Sequence, residues 1–162
     1  MRAQRAGSAN SAVSALQAAL AAEHAAVYGY GVAGAHLAGR QQSAAMRAWD
    51  AHRAMRDKLI AMVSARGAEP VAAADAYQLP FGVHSAHVAA SLALELEEGV
   101  MRAYLGLVAV PDARLRVFGA QALQAAAVRA AAWRGGPTAF PGLPRSALAS
   151  AAPARGKPGN AR

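Results

Sequence analysis

The sequence predicts an all-α protein, a four-helix bundle built from two antiparallel helical hairpins joined by a long crossover, with a disordered basic C-terminal tail. Three observations carry that prediction. Of the 162 residues, 48 are alanine while strand-forming Val, Ile and Thr are sparse, a composition that favours helix over sheet. Apolar residues recur about every 3.5 to 3.6 positions in four separate segments. Those segments fall into two pairs, separated by one long stretch containing Pro70, Pro80 and Gly82.

The first helix is predicted over Ser11 to Leu37, with Asn10 or Ser11 as N-cap and the repeat Val13, Leu16, Leu20, Glu23, Val27, Tyr30, Gly34, Leu37. The start of the chain imitates a signal peptide, with Arg2 and Arg5 ahead of an alanine-rich run. Ser11, Ser14 and Gln17 make that run too polar for a secretory hydrophobic region, and it reads as a helix start. The second helix, Ser43 to Arg66, repeats as Ala45, Trp49, His52, Arg56, Leu59, Val63 and ends at Gly67. From Gly67 to Val83 the chain is long enough to cross the length of a bundle. The third helix, Ser85 to Val108, aligns Leu94, Glu97, Met101, Tyr104 and Val108. Pro111 and Asp112 open the fourth, which aligns Leu115, Phe118, Ala122, Ala125, Arg129 and Ala132 and stops at Gly135-Gly136. Residues 11–134 therefore form the bundle and 135–162 a Pro/Gly/Ala-rich tail, in which Phe140-Pro141-Gly142-Leu143-Pro144 is placed to fold back over one end.

The absence of cysteine excludes disulfides, thiolate metal sites and cysteine nucleophiles. The compartment is then open, with the cytoplasm as default. No stretch reaches the ~20 apolar residues of a transmembrane span. Net charge is +8, but all nine acidic residues lie at or before Asp112, where nine Lys and Arg balance them. The excess is C-terminal, from Arg114 to Arg162, so nucleic acid is expected to meet only nonspecific contacts from the tail. No phosphate loop, serine-nucleophile context or zinc-protease pair occurs.

Each predicted helix puts an ionisable group where its repeat calls for an apolar one: Glu23, then His52 with Arg56 and the adjoining Arg53, then Glu97, then Arg129. Burying an unpaired charge costs several kcal/mol, so such groups must neutralise one another or bind a cation. Two carboxylates and a histidine on three helices are raw material for a metal site at Glu23, His52 and Glu97, holding iron or manganese. The arginines oppose it. A guanidinium cannot become a ligand, and it supplies in covalent form the charge a metal otherwise brings.

Other residues weigh less. His24 reads as facing solvent, His84 and His87 as surface or capping residues, and Glu95 and Glu98 as solvated. Asp57 is expected to pair with Arg53. Gly29, Gly31 and Gly34 in one helix indicate close packing against a neighbour, with a small apolar pocket or a homodimer contact as alternatives.

Glu23-His24, the stretch Trp49-Asp50-Ala51-His52-Arg53-Ala54-Met55-Arg56-Asp57, Tyr77-Gln78-Leu79-Pro80-Phe81, Leu96-Glu97-Glu98-Gly99-Val100, and Ala127 to Arg134 followed by Phe140-Pro141-Gly142 together resemble the alanine-rich ferritin-like domain family of unknown function found in actinobacteria. The likeness runs from Ser11 to Pro144. It implies a ferritin-like bundle and an actinobacterial source, and no established activity. Two-iron members of the wider superfamily use Glu in the first helix, Glu-x-x-His in the second, Glu in the third and Glu-x-x-His in the fourth. Glu23, His52 and Glu97 match part of that set. The second helix has no Glu, and the fourth offers Gln121, Gln124 and Arg129. These departures, with the arginines, lead to the expectation of a degenerate site: a metal-free Glu/His/Arg layer in a binding or interaction protein, with a single-metal oxidoreductase or iron-binding protein as the alternative.

Overall fold

The computed structural model describes residues 2–136. Four helices account for most of them: α1 (Arg2–Ala35), α2 (Gly39–Ser64), α3 (Ala86–Val108) and α4 (Ala113–Arg134), with no strand among the described residues. The tail, and the fold-back of Phe140 to Pro144, lie outside the described residues.

α1 starts well before the expected N-cap, because no proline lies between Arg2 and Ser11 and the strong helix formers Ala, Arg and Gln there outnumber the weaker Gly7, Ser8 and Asn10. α2 also starts early, at Gly39 rather than Ser43. The chain reverses over residues 36–38, and Gly39, at φ +56°, takes a left-handed conformation that costs glycine little. No side chain caps that end, while the Ser43 hydroxyl donates to the Gly39 carbonyl at 3.1 Å. Ser85 caps α3 by accepting from the Val88 N–H. Asp112 caps α4, so Pro111 lies just ahead of the helix and not in its first turn; Asp112 accepts from the N–H groups of Leu115 and Arg114, and those bonds hold its carboxyl below the usual range. Gly135, at φ +81°, ends α4 in a left-handed C-cap.

The extensive packings are α1 on α2, α1 on α3 and α3 on α4. Tyr30 meets Glu97 while Glu23 meets Tyr104, so α1 and α3 run antiparallel; Leu107 against Gly119 and Glu97 against Arg129 make α4 antiparallel to α3. The helices thus run up, down, down, up. This order requires the connection from α2 to α3 to climb the whole bundle, and it does so along α1. Gln17 receives the Val71 N–H and donates to the Glu69 carbonyl, His24 donates to the Val71 carbonyl at 3.1 Å, and Tyr28 packs on Tyr77. His24 is therefore buried and bonded to the crossover, contrary to its expected place in solvent.

Two apolar clusters fill the interior. One holds Leu16, Leu20, Leu59, Met101, Leu107 and Leu115, and the other holds Ala33, Leu37, Ala45, Ala48, Ala89 and Leu92. On α4 the buried stripe runs Leu115, Gly119, Ala122, Ala126, Ala130, which corrects the predicted register. After Ala122 the helix keeps to 3.6 residues per turn, so a strict seven-residue repeat drifts off the buried face and leaves Ala125 and Ala132 exposed.

Candidate functional site

Between the two apolar clusters lies a polar layer to which every helix contributes. Glu23 and Glu97 project from α1 and α3, His52 from α2, and all three are buried to about 1% exposure or less. His52 Nδ1 stands 2.6 Å from Glu23 Oε2, and Nε2 stands 3.1 Å from Glu97 Oε1. Each ring nitrogen therefore faces a carboxylate oxygen, and both bonds form when both nitrogens carry protons. Burial alone disfavours the imidazolium, but the two flanking carboxylates outweigh it and hold the His52 pKa above its ordinary value.

Arg129 completes the charge balance. Its Nε donates to Glu97 Oε1 at 2.7 Å. Burial opposes ionisation of Glu97 too, yet hydrogen bonds from His52 and Arg129 keep its carboxyl below the usual range. With His52 protonated, two carboxylates face two cations and the layer is neutral.

Two tyrosines close the arrangement. Tyr30 on α1 donates to Glu97 Oε1 and Tyr104 on α3 donates to Glu23 Oε1, each at 2.7 Å. Burial, together with the negative charge of the carboxylate it serves, pushes each hydroxyl far above its ordinary pKa, so both remain donors. The indole N–H of Trp133 donates in turn to the Tyr30 oxygen at 2.9 Å, and the Tyr30 ring stacks on His52. The layer is a crossed pair: Glu and Tyr lie seven residues apart on α1 and again on α3, and each tyrosine serves the other helix's glutamate. Glu97 Oε1 accepts three bonds, whereas Glu97 Oε2 is buried with no partner among the described residues.

Of the six residues expected in this layer, Glu23, His52, Glu97 and Arg129 come together; Arg53 and Arg56 do not. Arg53 is 47% exposed, lies over the Trp49 ring at 4.5 Å and pairs weakly with Asp50. Arg56 turns outward to Asp57, with contacts of 2.7 and 2.8 Å, so Asp57 pairs with Arg56 and not with Arg53. The reason is geometric. Between His52 and Leu59 the inward position is divided between Met55 and Arg56, and solvent a bond rotation away satisfies a guanidinium better than an apolar core.

Tyr30 and Tyr104 were legible only as apolar members of their repeats. Their signal was the doubled Glu-x6-Tyr spacing, since a buried tyrosine hydroxyl needs a partner. Trp133 carried no comparable signal.

The glycines of α1 divide. A Cβ on Gly29 would meet the Leu96 side chain at 2.6 Å, whereas Gly31 and Gly34 have nothing within 4 Å and border a cavity of about 200 Å³ with Met46 and Trp49. Glu98 pairs with Arg134 and Glu95 with Arg102, while His84 and His87 are exposed.

The donor set fits a metal poorly. Both nitrogens of His52, both oxygens of Glu23 and one oxygen of Glu97 are engaged, and a cation at Glu97 Oε2 would meet the field of two positive groups. Among the described residues no cluster of three or more His, Asp and Glu side chains is arranged to hold a metal ion. No described helix is long and apolar enough to cross a membrane.

Fold and layer define a four-helix-bundle protein organised around a network of buried charges. The chain belongs to the family described as Domain of unknown function (DUF4439), whose model matches residues 15–145. It is similar to the crystal structure of a conserved hypothetical protein, Rv2844, from Mycobacterium tuberculosis, at 39% identity and a TM-score of 0.75 over 78% of this chain and 96% of that one. No curated protein matches it.

Proposed function

We propose that this chain is a ferritin-like bundle in which a charge-balanced, metal-free layer takes the place of a di-metal centre, and that it acts as a binding or interaction protein rather than as a catalyst. The observation that carries this reading is the position of His52 between two carboxylates, one on each ring nitrogen. An imidazole used as a metal ligand must present a lone pair, and His52 has none free while both bonds stand. The up-down-down-up helix order and the glutamates on α1 and α3 support the ferritin-like assignment. His52 and Arg129 supply the positive charge that metal ions supply in such bundles.

Two measurements test this. Protein purified without chelators is expected to carry no stoichiometric iron or manganese, and ¹⁵N spectra at neutral pH are expected to show both His52 nitrogens protonated, unchanged when manganese or ferrous iron is added. Stoichiometric metal that disappears in a His52→Ala variant would overturn the reading in favour of an iron or manganese protein using Glu23, His52 and Glu97.

A further inference from the structure

The seam between α2 and α4 is open, and the groove along it encloses about 520 Å³, within the range of small-molecule sites. Its floor is apolar and shallow-chained: Ala48 and Ala51 from α2, with the Trp133 ring from α4. Beside the neutral Gln41, its charged lining is of one sign. Arg40, Arg47 and Arg129 line it, and no acidic residue does.

Two of these cations, Arg40 and Arg47, have no counter-charge among the described residues, and the third, Arg129, has one on its inner side only. Among the described residues neither Arg40 nor Arg47 makes a salt bridge, and Arg129 uses only its Nε, on Glu97. Since no acidic residue follows Asp112, no side chain of residues 137–162 can provide the missing charge. Arg129 stands at the edge of the buried stripe and is 26% exposed, so one guanidinium has its inner edge in the ionic layer and its outer edge towards the groove.

We propose that the groove binds a small amphipathic carboxylate. Its head group pairs with the outer edge of Arg129 and with Arg47, and its apolar body lies on Ala48, Ala51 and Trp133. The terminal nitrogens of a guanidinium match the two oxygens of a carboxylate in a bidentate pair, which selects the head group. The alanine floor and the indole gain only from apolar surface, which excludes a bare inorganic anion. A neutral apolar ligand would cover arginines without pairing them, which excludes the opposite case. The inference rests on the reading of the bundle as a binding protein and names the class of what is bound.

The test uses the full chain with Trp49→Phe, so that Trp133 is the sole tryptophan, and sodium decanoate as probe. Saturable one-to-one binding that changes Trp133 fluorescence is expected, with decanol and inorganic phosphate each weaker by about tenfold or more. Arg47→Gln is expected to weaken decanoate by about tenfold, and Ala51→Phe to block it by filling the groove. Both positions are exposed, and an unchanged helical spectrum verifies that each variant folds. The proposal is overturned if decanoate does not bind, if decanol binds as well as decanoate, or if neither substitution weakens binding. Capture by anionic phospholipid vesicles without a response to decanoate also overturns it, in favour of a membrane-surface contact. Metal content and the His52 nitrogen signals judge the layer separately: metal-free protein that ignores decanoate refutes the groove alone, and metal-loaded protein that binds it refutes the layer alone.

Discussion

At the scale of single residues, the layer makes stability depend on pH in a defined sense. The His52 pKa is raised in the fold, so its contribution is complete below the ordinary value of 6.5 and is lost as pH climbs through the folded value. That of Glu97 is lowered, so its contribution is complete above 4.5 and is lost as pH falls through the folded value. Urea denaturation is therefore expected to show a plateau between about pH 4.5 and 6.5 with a fall on either side. In a His52→Gln variant the alkaline fall should vanish, together with about 3 kcal/mol of stability, because two carboxylates then share a buried site with one cation fewer. Arg129→Met removes a half-buried partner of Glu97 and is expected to cost about 2 to 3 kcal/mol; a loss under about 1 would show that solvent already screens the pair. Glu23, His52, Glu97 and Arg129 were legible in the sequence because a charge interrupts an apolar repeat. Arg53 and Arg56 interrupt or adjoin a repeat as well, and a long flexible arm can leave the core where a short carboxylate on the central stripe cannot.

At the scale of the helix, the four segments were legible from periodicity and punctuation, with Ser85, Gly67 and Gly135 marking ends that the backbone uses. What composition could not supply was the contact surface of so much alanine and glycine, because a residue with little or no side chain reads alike on either face. The structure separates such positions. Gly119 faces α3 so closely that an added Cβ would stand 2.8 Å from Leu107 Cβ and 3.2 Å from the Val108 nitrogen. Gly119→Ala is expected to push α4 from α3 and cost about 1 to 3 kcal/mol. Gly34 has open space where a Cβ would stand, so Gly34→Ala should raise stability by about 0.5 to 1 kcal/mol through the unfolded chain. Thermal melts of the two variants, moving in opposite directions, check the assignment.

At the scale of the molecule, the crossover is the long non-helical element among the described residues, and its attachment depends on few groups. Gln17 satisfies an N–H and a carbonyl of the crossover with one side chain, beside the bond from His24. Gln17→Ala is expected to accelerate amide hydrogen exchange at Val71 markedly while leaving amides in the middle of α3 protected. The length of this connection was legible, but its path along α1 was not, since it follows from polar side chains that read as surface in isolation. The ionic layer has a consequence for how the whole comes apart. Pulling any one helix away strands an opposite charge on another, so partly opened forms carry an electrostatic penalty that the complete coil, fully wetted, escapes. Melting should accordingly be all-or-none, with fluorescence and circular dichroism tracing a single sigmoid, and the half-dissociated hairpins on which sticky intermediates depend should stay scarce.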